Sequence, residues 1–167
     1  MDMTIAYPIA RTLHIVLGAL WAGAAFQISI LLAPVLIDVK QAGTDVIARL
    51  VARRELHFFM LIASATTLFS GFFLFWQMTG GLQPTLLKTS HAIVYLLGGI
   101  SAVVAGILGK NVIGTAAVNI AALAHDGSPE SKVHIEALKA RMKNVGRVAI
   151  CFMVFTLICM AGGHFVP

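Results

Sequence analysis

Four charge-free apolar runs divide this chain: Thr12 to Ile37, Leu56 to Leu87, Thr89 to Gly109 and Val148 to Pro167. Each can hold a helix of about 20 residues, enough to cross the hydrocarbon core of a bilayer. The pattern predicts helix 1 from about Ile5 to Ile37, with Pro34 near its inner end, and a turn from Asp38 to Gly43. Thr44 and Asp45 are the expected N-cap of helix 2, which carries Arg49, Arg53 and Arg54 before entering the apolar phase near Leu56. Thr79-Gly80-Gly81 breaks that helix, and Pro84 suits the first turn of helix 3.

Helix 3 crosses by about Gly109 and continues at helical spacing through Ile113, Ala117, Ile120 and Ala124. Asp126-Gly127 is the next turn. Ser128-Pro129-Glu130 supplies an N-cap, a proline at the first helical position and an acid in the first turn of helix 4. Ile135, Leu138, Met142 and Val145 then carry the apolar stripe onward. The expected fold is all-α: a four-transmembrane-helix antiparallel bundle over residues 1–167 as one domain, with helices 2–4 extended into the cytoplasm.

Composition agrees. The 167 residues are 59% hydrophobic and 11% charged, with a mean hydropathy of +0.90, too little charge to clothe a water-soluble surface. The early Asp2 and the length of the first apolar run fit a retained helix better than a signal peptide. The formal charge of +5 is unevenly placed. Lys40, Arg49, Arg53 and Arg54 lie between helices 1 and 2. Lys110, Lys132, Lys139, Arg141, Lys143 and Arg147 lie between helices 3 and 4. The positive-inside rule puts these links in the cytoplasm and both termini outside an inner (plasma) membrane. Nothing resembles a nucleic-acid-binding face. Cys151 and Cys159 share one helix about 12 Å apart, too far for a mutual disulfide.

Two segments enter apolar runs alike: Arg11-Thr12-Leu13-His14 and Lys88-Thr89-Ser90-His91. Ionisable groups at such depth are costly and mark candidate sites. Taken from Pro84, His91 falls about two helical turns in, at a depth similar to His14. Helices 1 and 3 are diagonal neighbours in a bundle, so two imidazoles could coordinate one iron, with Arg11 and Lys88 on haem propionates. Gly18 and Gly98 share a face with their histidines and could leave room for a flat macrocycle. Trp21 and Tyr95 could pack on its edge, while Thr12, Thr89 and Ser90 could orient an imidazole. The competing reading is structural: snorkelling cations, close helix packing and hydrogen-bonded histidines. His164 is an alternative metal ligand. His57, His125 and His134 are expected to be edge or solvated residues. Met78, Cys159, Met160 and His164 gather near one end and could suit Cu(I).

The run Arg11-Thr-Leu-His14, followed by Trp21-Ala-Gly23 and Pro34, resembles the first helix of the copper-resistance D (CopD-like) integral-membrane family. Leu86-Leu87-Lys88, with Asn111 beyond it, is similar to that family's later part. The first helix is also similar to J-type protoporphyrinogen oxidases, although their Leu-Pro-Arg and Asn-Glu-x-Pro motifs are missing here. The resemblance implies a small membrane bundle whose histidines bind haem or copper, and it carries over to His14, Lys88 and His91. The expected function is a bis-histidine haem b protein that passes electrons between quinone, or another membrane partner, and an outer-side redox protein. The alternatives are copper binding or transport, and a non-catalytic subunit of a membrane complex or a homo-oligomer.

Overall fold

The computed structural model describes residues 3–166, so Met1, Asp2 and Pro167 lie outside the description. It is all-helical. The elements are α1 (Met3–Phe26), a π-helical turn (Gln27–Leu32), α2 (Ala33–Asp38), α3 (Lys40–Arg53) and α4 (Glu55–Met78). They are followed by α5 (Pro84–Leu87), α6 (Ser90–Leu108), a second π-helical turn (Gly109–Gly114), α7 (Thr115–Leu123), α8 (Pro129–Gly162) and a final 3-10 turn (Gly163–Phe165). Four spans are long and apolar enough to cross a membrane: Ile5–Asp38, Glu55–Met78, Ser90–Leu123 and Pro129–Phe165. Their outward side chains are apolar; Phe69 is 77% exposed and Ile158 62%. Such a surface belongs in lipid rather than in water.

Close approach of small residues joins the spans in pairs. On α1 and α4, His14 lies over Gly71, Gly18 meets the Thr67 methyl, and Trp21 and Ala22 cluster with Ala63. On α6 and α8, Tyr95 packs on Gly163, and Gly98 lies against Cys159 and Met160. In the same pair, Ser101 Oγ donates to the Phe152 carbonyl at 2.8 Å, and Thr156 Oγ1 donates to the Gly98 carbonyl at 3.1 Å. In both pairs residue numbers fall on one helix as they rise on the other. The pairs meet at Trp21, 5% exposed, whose ring reaches Gly106 and clusters with Ala102, Ala105 and Met153.

A second core lies at the basic end. Leu36 of α2, Ile47 of α3, Ala116 and Ile120 of α7, and Ile135 and Leu138 of α8 pack together. The predicted continuous helix 2 is instead two helices, α3 and α4, parted at Arg54 in a left-handed conformation (φ 55°). Thr44 is not an N-cap. It is buried inside α3, where its Oγ1 donates to the Lys40 carbonyl. The predicted Asp38–Gly43 turn shrinks to Val39, because Gly43 lets α3 fold directly onto the Leu36 carbonyl of α2. Lys139 closes this elbow. Although it is a lysine, it is 1% exposed, and its Nζ donates to the Lys40 carbonyl and to Glu136, each at 3.0 Å.

The signals around Asp126 behave as read. Ser128 Oγ accepts from the Ser131 amide at 3.2 Å, capping α8. The Asp126 carboxylate accepts from the Ser131 hydroxyl at 2.6 Å and the Ser128 amide at 3.0 Å. These bonds hold its pKa below the ordinary value.

Two outcomes follow. Gly43→Ala should cost about 1–3 kcal/mol, since its methyl would meet the Leu36 carbonyl. Gly99→Ala, with nothing within 4 Å of the added carbon, should cost far less; thermal unfolding of the two variants in one detergent compares them. The Asp126 turn should keep its full stability above the ordinary aspartate range and lose it as pH falls through the lowered value. Hydrogen exchange at the Ser128 and Ser131 amides, followed with pH, measures that loss.

Candidate functional site

His14 is the best-anchored polar group in the apolar spans. Its Nδ1 lies 2.9 Å from the Thr67 carbonyl, and its ring rests where α4 has only Gly71. A carbonyl can only accept, so Nδ1 carries the proton of the neutral ring. Nε2 then keeps its lone pair. Ser70 Oγ donates to the Thr66 carbonyl at 2.6 Å, with a longer approach of 3.2 Å to the Thr67 carbonyl, and Thr67 Oγ1 donates to the Ala63 carbonyl at 2.7 Å. These side-chain bonds leave Thr67 firmly placed beneath the ring.

His91 is held differently. Its Nε2 lies 3.3 Å from Thr89 Oγ1, which itself donates to the Leu86 carbonyl at 2.6 Å. The hydroxyl proton is therefore committed, and Thr89 Oγ1 acts as acceptor for the ring. Neutral His91 carries its proton on Nε2 and leaves the Nδ1 lone pair. Each histidine thus has one ring nitrogen held by a hydrogen bond, His14 through Nδ1 and His91 through Nε2.

The expected match in depth does not hold. Pro84 opens the separate four-residue α5, Thr89 is extended (φ −68°, ψ 143°), and α6 begins only at Ser90. His91 is therefore the second residue of its helix rather than two turns in. His14 lies 7 residues, about 10 Å, outward from Trp21. His91 lies 11 residues from Ala102 and 15 from Gly106, the α6 partners of Trp21. At 1.5 Å per residue, His91 stands roughly 6–12 Å nearer the helix ends than His14. No Cα atoms of α1 and α6 come within 8 Å, and no residue of α1 from Ile5 to Leu20 is buried. α1 packs on α4, and α4 in turn packs on α6.

The remaining candidates sort by place. Arg11 and Lys88 are exposed, each one turn outward of its histidine. Gly18 faces Thr67, and Gly98 faces Cys159 and Met160, so both serve close helix contact. Trp21 is core, as its depth implied, and Tyr95 packs on Gly163. Of Thr12, Thr89 and Ser90, Thr89 is the one bonded to a histidine. His164 is exposed and stands edge-on to Phe165; His57, His125 and His134 are also exposed. Cys159 is buried and Cys151 exposed, both as free thiols. Among the described residues, no three His, Cys, Asp or Glu side chains converge as a metal cluster. Sequence reasoning missed Thr67 and Gly71, because a carbonyl acceptor and an absent methyl leave no motif.

Nitrogen-15 spectra of the histidine-labelled protein should show His14 with the proton on Nδ1 and His91 with it on Nε2. Gly71→Ala would bring a methyl carbon 2.7 Å from His14 Cε1 and 3.0 Å from Nδ1. It should shift the His14 signals and leave those of His91 in place.

Comparison with known proteins found no matching family model, no similar curated protein and no similar solved structure.

Proposed function

We propose that this chain is a haem b-binding membrane protein, a four-helix antiparallel bundle that passes electrons across one face of a bilayer. The observation that carries the reading is the pair of histidines on α1 and α6, each held at one ring nitrogen by a hydrogen bond, His14 to the Thr67 carbonyl and His91 to Thr89 Oγ1. In this reading the basic end faces the cytoplasm and both termini lie outside. His14 Nε2 and His91 Nδ1 would hold the iron. The Thr67 carbonyl and Thr89 Oγ1 hold the rings in place. Arg11 and Lys88, on the water side of each histidine, bind the propionates through charge-assisted hydrogen bonds.

Haem b, when bound, would supply one-electron exchange. The electron partners are a quinone in the bilayer and a redox protein outside. What supports haem in particular is the donor set: one imidazole from each of two helices, with an exposed cation one turn outward of each.

A visible spectrum of protein purified from haem-replete cells tests the reading. A reduced haem b signature is expected, lost in His14→Ala and in His91→Ala but retained in His57→Ala and His164→Ala. A colourless protein that binds Cu(I) through Cys159 or Met160 would replace this reading with copper handling. A colourless, metal-free protein that copurifies with larger subunits would make it a non-catalytic component.

A further inference from the structure

Three cations from separate parts of the chain stand at a similar level of the fold: Arg54 between α3 and α4, Lys110 in the second π-helical turn and Arg147 in α8. Gly146 of α8 meets Ser29 of the first π-helical turn and Ile113 of the second, which fixes a cross-section near the basic end. Arg147 follows Gly146 directly, and Lys110 precedes Ile113 by three residues. Counted from the Trp21 cluster, Lys110 is 5 residues beyond Ala105, Arg147 is 6 before Met153, and Arg54 is 9 before Ala63. At 1.5 Å per residue these cations fall within a band roughly 7–14 Å from that cluster. The 24-residue α4 begins beside Arg54 and extends about 36 Å, the span of a hydrocarbon core with its interfaces. The band therefore coincides with one membrane boundary.

All three side chains are exposed. Among the described residues the one ion pair is Lys139 with Glu136, so acids do not neutralise the band. The neighbouring acids, Asp38 at the end of α2 and Glu55 beside Arg54, are exposed and unpaired, and Asp45 accepts from Gln41. Arg54 also occupies a left-handed backbone conformation (φ 55°) that favours glycine. Lys110 sits in the wide turn that starts at Gly109 and is exposed.

We propose that Arg54, Lys110 and Arg147 form a collar that binds the headgroups of anionic phospholipids at the basic end. The proposal rests on the bilayer placement and is independent of haem. Each juxtamembrane cation contributes about a fivefold preference for anionic over zwitterionic lipid, and the three together contribute roughly a hundredfold.

Native mass spectrometry of the full chain, titrated with phosphatidylglycerol and with phosphatidylcholine, tests this. Wild type should bind phosphatidylglycerol at least about tenfold more tightly, and the preference should weaken as salt rises. The triple variant Arg54→Gln, Lys110→Gln, Arg147→Gln should lose the preference, while Arg141→Gln, farther from the boundary, should keep it. Helix content by circular dichroism checks that the triple variant folds. If it does not, the single Lys110→Gln variant and the salt series on wild type decide. Equal affinity for the two lipids, or an unchanged triple variant, overturns the collar. Displacement of phosphatidylglycerol by equimolar inorganic phosphate overturns it too, because the site would then take a free anion. The readout is lipid mass, so a failure of haem binding leaves this result intact.

Discussion

The position of Trp21 against Gly106 is the contact on which the arrangement of the four spans depends. Each pair of spans is zipped by small residues, which lets backbones approach where water cannot drive association. α1 and α6 stay more than 8 Å apart at their Cα atoms, and only a side chain as long as tryptophan bridges them. Ala63, Ala102 and Ala105 are small because that indole fills the space between the pairs. Toward the basic end, the Ser29–Gly146–Ile113 contact and the second core continue the closure.

The polar groups are held differently at the two ends. At the basic end, Lys139 is buried because the elbow between α2 and α3 presents the Lys40 carbonyl to it. At the other end, His14 is fixed to α4 and His91 to the turn before α6. Glycines lie beneath the helix contacts.

Much of this was legible in the chain. The charge-free runs gave the four spans, and Ser128-Pro129-Glu130 gave the start of α8, because length and capping chemistry act locally. The cation-x-x-histidine segments singled out His14 and His91 for the same reason. What the sequence could not give depends on where backbones meet. Arg54 splits the predicted helix 2, and Gly43 replaces a loop by a tight elbow. Pro84 opens a separate turn and moves His91 outward. Lys139 read as one cation among many, since burial of an ammonium depends on a carbonyl 99 positions away in the chain. Gly18 and Gly98 were compatible with a macrocycle or with close packing, and only the partner side chains separate those uses.

The central claim is that the free nitrogens of His14 and His91 share one iron. Low-temperature electron paramagnetic resonance of the oxidised, haem-loaded protein addresses it most directly. The account expects a low-spin ferric spectrum with bis-imidazole g values, turning high-spin when either histidine alone is replaced by glycine and returning when imidazole is added. A high-spin spectrum in the wild type, or a low-spin one unchanged by the loss of His91, would contradict it.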